Sequence, residues 1–572
     1  MKLSKRFVSA LLAALLCFTL AAPAFADEAE QNAAYKDYQS VFVHGLFGWG
    51  PEDDINSILP YWGMSSGNML EYLTGHGYSV TAASVGPMSS CWDRCCELYA
   101  QLTGTVTDYG EAHVEKALAD FASVGCSLGH ERYGRDYTGN AIVEGWGPVF
   151  DENGEIDPVC YETKLNLIGH SFGGPTVTML LQLLAYGDAA ERDYAKAKYG
   201  EDDWKQHCSP LFWGDYEGEN LINSITSLAG VLNGTTFIDS CDDSTELICS
   251  LAMGLANAIG PTCINDLYDF QLEQFGITKS DNPDYKYMFD LLQSVRFLDA
   301  KDNAIYDLSI GGCNELKQGW ECFENVFYFA FPGCCTSESP LGTQIPNADT
   351  WPLFLGFATF MGAYTNKNEI VYDISGNEYC RVDKRWLPND GMVNTFAQTH
   401  VFGCAQKDYD GIVEPGVWIT MPSYGYDHFD FPGGLIEITQ NSWQTKAFFD
   451  EIMKNIEATY NYVGRLAAPK LTASNVDYSN SVKLEWNKVE GASAYKIYRA
   501  SSKNGSYSLL GTTGSTSCRD YATVLGKTYY YRIVAVNENN AAASEYSNVA
   551  ELLVTYSKLS TYIVNKIAKR LF

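Results

Sequence analysis

Gly169-His170-Ser171-Phe172-Gly173 is the segment of this chain best suited to nucleophilic chemistry. The apolar run Leu165-Asn166-Leu167-Ile168 precedes it, and Val177, Met179, Leu180, Leu181, Leu183 and Leu184 follow at helical spacing. A strand, a sharp turn and a helix in that order hold a serine in a strained elbow, its hydroxyl above the sheet edge. The flanking glycines leave room for the neighbouring strand and helix. The alternative is a glycine-rich turn whose serine only caps the helix.

A serine hydroxyl is a weak nucleophile until a base takes its proton, and the base needs an orienting acid. On an elbow of this kind, that of the α/β-hydrolases, the chain order is Ser, then Asp or Glu, then His. After Ser171 the chain offers His207, His400 and His428. His428, in Tyr426-Asp427-His428-Phe429-Asp430, lies shortly before the final helix of the stretch, where this fold places its base. Pro388-Asn389-Asp390-Gly391 is a turn that can carry the acid, Asp390, to the far nitrogen of the ring. Asp427 competes by proximity, although a residue does not easily face its own neighbour's ring. The oxyanion of an acyl-transfer intermediate needs two backbone N–H groups. Phe172, next after the serine, supplies one. Leu46, in His44-Gly45-Leu46-Phe47-Gly48-Trp49-Gly50 after the strand Val41-Phe42-Val43, supplies the other.

The elements that position these groups span residues 35–463, one long α/β stretch ending in a helix from Trp443 onward. Residues 464–469 read as a linker. Residues 470–555 change to period-two alternation: Val482, Leu484 and Trp486, then Tyr495 and Ile497, then Tyr529, Tyr531, Ile533 and Ala535. Short strands with a tryptophan early, a tyrosine run late and an Asn504-Gly505 turn predict an all-β sandwich. Leu484-Glu485-Trp486 and the run Thr528 to Asn537 make it resemble a fibronectin type III module, which implies a spacer or a cell-surface contact. The tail 556–572 is basic and amphipathic.

Residues 1–26 read as a secretory leader: Lys2, Lys5 and Arg6, an apolar Val8–Leu20, and Ala24-Phe25-Ala26 at the cleavage site. Losing those three cations takes the formal net charge from −31 to −34. Such acidity repels phosphate backbones and argues against nucleic acid as a partner. No later apolar run is long enough to span a bilayer, and the expected location is extracellular. Export permits disulfides among the 16 cysteines left after Cys17 departs with the leader. Pairing is not legible from spacing: Cys95-Cys96 and Cys334-Cys335 serve two bridges each or none, and Cys518 stands alone after residue 465.

Several segments together resemble the large secreted lipases of the staphylococcal and thermoalkalophilic bacillar type. They are Val43 to Gly50, Tyr61-Trp62-Gly63, Ser89 to Arg94, Asp108 to His113, His130 to Arg135, Asn389 to Thr395 and Asp427-His428. The resemblance covers about 40–460. It implies Ser171 as nucleophile, Asp390 as acid and His428 as base. It also implies a structural zinc at Asp93, His113, His130 and Asp302, a set that spacing alone does not reveal. Imidazole and carboxylate ligands suit tetrahedral zinc. The family's calcium has a match at Asp430, with Glu437 the nearest stand-in for a second carboxylate. Ser244–Ile259, capped by Asp243, reads as an apolar helix, and the resemblance makes it a lid.

The fold expected is therefore an α/β-hydrolase with a zinc-binding insertion and a helical lid, followed by the β-sandwich. The activity expected is that of a secreted triacylglycerol lipase working at an oil–water interface. A short-chain carboxylesterase, a phospholipase, or a surface scaffold with an inert hydrolase part are the alternatives.

Overall fold

The computed structural model describes residues 38–149, 164–240, 250–255, 259, 267–279, 285–435, 441–460, 462, 466–477, 479–503, 505–537, 542–544 and 546–555. The leader, Asp243 with 244–249 and 256–258 of the lid, Glu437, residues 464–465 of the linker, Asn504 and the tail lie outside them.

The apolar runs Val41-Phe42-Val43 and Leu165 to Ile168 become strands of one parallel sheet. Its strands are β1 (Gln39–Val43), β2 (Val80–Ala83), β3 (Leu165–His170), β4 (Ile222–Leu228), β5 (Phe327–Phe331), β6 (Gln406–Asp408) and β7 (Trp418–Thr420). The seven strands lie in the order β6-β7-β5-β4-β3-β1-β2, and every pairing is parallel. Residues of β3, β4 and β5 are buried throughout, as strands covered on both faces must be, and the polar ones pair: Asn223 Nδ2 and Ser224 Oγ both donate to Asn166 Oδ1. The register sets Gly169 of β3 between Val43 of β1 and Ser227 of β4. The loops after β1 and β3 thus emerge side by side at the carboxyl edge of the sheet, where open α/β folds bind their ligands.

Four helices matter to the site: α1 (Cys91–Thr103), α2 (Glu111–Val124), α3 (Gly173–Tyr186) and α4 (Ser442–Tyr460). All but the last residue of α3 are buried. α4 turns Phe448, Phe449, Ile452, Met453 and Ile456 inward, and Phe449 stacks on Phe42 of β1 at 5.9 Å. No helix of the described residues is long and apolar enough to cross a membrane.

Beyond residue 470 the alternation becomes two antiparallel sheets. One holds Leu471–Asn475, Val482–Trp486 and Ser517–Asp520. The other holds Ala494–Ala500, Ser508–Thr513 and Thr528–Asn537, with Ala542–Ala543 and Ala550–Leu553 both paired to the last. Val482, Leu484, Trp486, Tyr495, Ile497, Tyr531, Ile533 and Ala535 share their core. Ile412 of the α/β part packs with Ala494, Val534, Val536 and Ala543.

One disulfide, Cys322–Cys404, is formed among the described residues. Neither adjacent pair makes a bridge, and Cys518 is unpaired.

Candidate active site and metal cluster

Ser171 follows β3 directly and has a φ of +57°, in the left-handed region that costs an L-residue energy. Two glycines make that turn feasible. A Cβ on Gly169 would lie 2.2 Å from the Gly173 carbonyl oxygen, and one on Gly173 would lie 2.1 Å from that of Val43. Backbone bonds fix the serine itself: its N–H donates to Leu228 O at 2.9 Å, and its carbonyl accepts from Gly174 and Val231. The serine does not cap the helix.

Asp390 and His428 meet. His428 Nδ1 lies 2.8 Å from Asp390 Oδ2, and the His428 N–H donates to Asp390 O at 2.9 Å. A carboxylate there must accept from that ring, so Nδ1 carries the proton and Nε2 is left as the basic lone pair. Nε2 is buried and has no partner among the described residues. Asp390 is wholly buried and also accepts from the Met392 and Val393 N–H groups and from Gln398 Nε2 at 3.0 Å. Asp427 looks elsewhere: its carboxylate accepts from the Trp351 and Phe429 N–H groups. Burial, and then the charge of Asp430, pushes its carboxyl well above the ordinary range. His400 bonds Thr399, and burial with the charge of Lys317 pushes it down to about 4. His207 stacks on Tyr199. Neither joins the group.

Leu46 and Phe172 are both buried, and neither backbone N–H donates a hydrogen bond among the described residues. The loop carrying Leu46 is clamped. Gly45 abuts the serine so closely that a Cβ there would sit 2.5 Å from Ser171 Cβ. Burial, and then the charge of Arg94, pushes His44 down to about 3, so its ring is neutral. Arg94, wholly buried on α1, donates to His44 O, to Gly86 O at 2.8 Å and to Thr176 Oγ1 at 3.1 Å. Its guanidinium also lies over the Phe172 ring at 4.9 Å. Sequence reasoning assigned no role to Arg94, Gln398, Tyr61 or His170. Arg94, Tyr61 and His170 stand in segments named above, but the partners that matter, His44 for Arg94, Gly45 and His170 for Tyr61, and His428 for His170, are 16 to 258 positions away; Gln398 stands in none of those segments.

The metal quartet also assembles. Asp93 lies in the first turn of α1 and His113 in the first turn of α2. His130 comes from the loop after α2, and Asp302 from the loop before the helix Ala304–Leu308. His113 Nε2 is 3.2 Å from Asp93 Oδ1 and 3.5 Å from Asp302 Oδ1; His130 Nε2 is 3.3 Å from Asp93 Oδ2 and 3.4 Å from Asp302 Oδ2. Ligands about 2.0–2.1 Å from a tetrahedral ion stand about 3.3 Å apart. His130 Nδ1 donates to Glu131 O at 2.8 Å, which turns the Nε2 lone pair toward the centre. Both Nε2 atoms, Asp93 Oδ1 and Asp302 Oδ2 are buried without a hydrogen-bond partner. Burial lowers the pKa of His113, yet Asp302 and Asp93 outweigh it and raise it to about 10. The cluster therefore demands positive charge at its centre. Among the described residues no second cluster of this kind forms. Asp430 accepts the Asp427 N–H at 3.0 Å.

Residues 36–461 match the family model for a lipase-like C-terminal domain. The chain belongs to that lipase-like family. Staphylococcus epidermidis lipase is 30% identical over 435 residues, 75% of this chain and 54% of the relative. Lipase 1 of Staphylococcus aureus is 31% identical over 422 residues, 72% of this chain and 54% of the relative. The chain thus spans about half the length of the curated relatives it matches. Among solved structures, EstA from Clostridium botulinum superposes with a TM-score of 0.59 at 30% identity, covering 74% of this chain and 87% of its own. Staphylococcus hyicus lipase does so with 0.57 at 26%, covering 74% and 96%. The lipase-like family thus accounts for the sheet and elbow, and the part beyond 461 lies outside its model.

Proposed function

We propose that this chain is an exported serine ester hydrolase, a triacylglycerol lipase, working through Ser171, His428 and Asp390. One observation carries the reading most. The His428 ring lies 4.8 Å from that of His170, next before the strained Ser171; its Nδ1 is held by a buried carboxylate and its Nε2 is without a hydrogen-bond partner. Ser171 Oγ attacks the ester carbonyl carbon while its proton passes to His428 Nε2. Asp390 stabilises the resulting imidazolium and keeps its orientation. The Leu46 and Phe172 N–H groups hold the oxyanion. Collapse breaks the bond to the alcohol, which leaves with the proton from His428, and the acyl group stays on Ser171. Water, deprotonated by His428, repeats the sequence and releases the acid.

Asp93, His113, His130 and Asp302 would hold one zinc ion, which in a closed four-ligand site supplies folding energy. Asp430 offers the hard oxygen that calcium prefers. Residues 250–255 are helical, with Leu251, Ala252 and Leu255 buried, which supports a lid over an acyl pocket. Residues 470–555 form a fibronectin type III-like sandwich that would set the enzyme near a surface. A leader at 1–26 would direct export, and the Cys322–Cys404 disulfide suits an oxidising compartment.

Ser171→Ala should abolish hydrolysis of emulsified triacylglycerol and labelling by a fluorophosphonate. Retained activity would sink the reading. A series of ester chain lengths separates a lipase from a short-chain esterase, and a phospholipid emulsion separates both from a phospholipase.

A further inference from the structure

Two buried residues with no part in the reaction just described connect its two halves. The Gly45 N–H lies 3.3 Å from Tyr61 Oη, Tyr61 Oη lies 2.7 Å from His170 Nδ1, and His170 Nε2 lies 3.0 Å from His428 O. Tyr61 and His170 are each only 1% exposed, so water does not substitute for these partners. Proton logic leaves a single arrangement for a neutral ring. The His428 carbonyl can only accept, so His170 Nε2 carries the hydrogen. Nδ1 of a neutral imidazole is then an acceptor. The Tyr61 hydroxyl must donate to it and so accepts from the Gly45 N–H. Every polar atom in the path is satisfied.

The path joins the groups whose relative placement matters most. Gly45 precedes Leu46 and touches Ser171. At the other end, the His428 N–H and Nδ1 are both held by Asp390, so the His170 bond fixes the remaining backbone atom of the base. His170 itself adjoins Ser171 in the chain, and its ring centre lies 4.8 Å from that of His428, the two rings tilted by 40°. A charged His170 would oppose the imidazolium that forms there. Burial, and then the proximity of His428, holds its pKa well below the ordinary histidine value, so it stays neutral.

We propose that Tyr61 and His170 are positioning residues that lock the oxyanion loop and the His428 loop into one register about Ser171. The inference rests on the serine-hydrolase reading above. Misplacing reacting groups by about 1 Å costs on the order of 100-fold in rate, and losing one oxyanion donor costs about 100- to 1000-fold. Loosening a loop without removing a donor should cost less.

The test is kinetics of Tyr61→Phe, His170→Gln and their double variant on a soluble chromogenic ester, with Ser171→Ala alongside. Tyr61→Phe should lower kcat about 10- to 100-fold, with KM within about twofold of wild type and an unchanged far-ultraviolet spectrum. The double variant should lose little more than the worse single one, because both break the same path. Wild-type kcat in Tyr61→Phe, or losses that multiply in the double variant, overturn the proposal. If Ser171→Ala keeps its activity, the hydrolase reading itself fails; if it is inactive while Tyr61→Phe is normal, only the path fails. Ring nitrogen chemical shifts of the intact wild-type protein give a readout that needs no variant to fold. His170 should show a protonated Nε2 and a bare Nδ1, and the opposite tautomer overturns the proposal.

Discussion

Asp390→Asn is the sharpest perturbation of the site, because the structure shows what Asp390 must accept. Four donors converge on it: the Met392 and Val393 N–H groups on Oδ1, and His428 Nδ1 and Gln398 Nε2 on Oδ2. Asparagine is the same size but brings one acceptor and one two-hydrogen donor. With its oxygen toward Met392 and Val393, its amide nitrogen faces His428 Nδ1 and the Gln398 N–H. His428 must then move its proton to Nε2 to accept at Nδ1, which removes the basic lone pair needed by Ser171. The imidazolium also loses its buried counter-charge. A wrong tautomer of this kind lowers kcat about 10⁴-fold, or about 5.4 kcal/mol of transition-state stabilisation at about 1.36 kcal/mol per decade. The displaced Gln398 N–H adds about 1–3 kcal/mol of lost stability. The assay is burst and steady-state kinetics on a soluble chromogenic ester, with a denaturant melt to separate the two effects. Activity above about 1% of wild type in a folded Asp390→Asn protein would refute the assignment and point back to Asp427.

Three further outcomes are expected. The purified protein should contain about one tightly held metal ion per chain, and chelation should lower Tm by at least about 5 °C, a loss that elemental analysis and calorimetry with zinc re-addition check. Burial, and then the charge of Glu369, pushes the Asp239 carboxyl up to about 7, above its unfolded value of about 3.9. The folded state therefore resists ionising it, so its contribution to stability falls as pH rises from about 4 to about 7 and is constant above. Asp239→Asn should flatten that part of the stability curve by on the order of 1–3 kcal/mol, measured as denaturant midpoints at pH 5 and pH 8 against wild type. Cys404→Ser opens a loop spanning 82 residues and should cost about 4.5 kcal/mol in the chain-entropy estimate; an unchanged melt would mean the unfolded chain is not constrained by that bridge.

The Ser171 elbow was legible because its signal is local. A strand, an elbow and a helix are set by a dozen consecutive residues, and the glycine requirement at 169 and 173 follows from backbone crowding within that unit. Chain order and turn chemistry pointed to His428 and Asp390 as candidate partners, with Asp427 a rival that sequence alone did not remove. The proposed metal quartet was not legible from spacing, since its residues span 93 to 302 and come from separate elements. Only the resemblance pointed to them.

Residue type, local periodicity and order along the chain were enough for the strands that lead into the elbow and the first loop, for the elbow itself, for the alternation beyond 470 and for the candidate chemistry, but not for the other five strands of the sheet. The tertiary structure alone decided that Asp390 rather than Asp427 faces His428, that Cys322 takes Cys404, and that Tyr61, His170 and Arg94 join the loop at 44–45, the elbow and the His428 loop. The reason is range. Periodicity and turn preference act over a few residues, whereas a hydrogen bond between Tyr61 and His170 spans 109 positions and exists only once the sheet has set β1 beside β3.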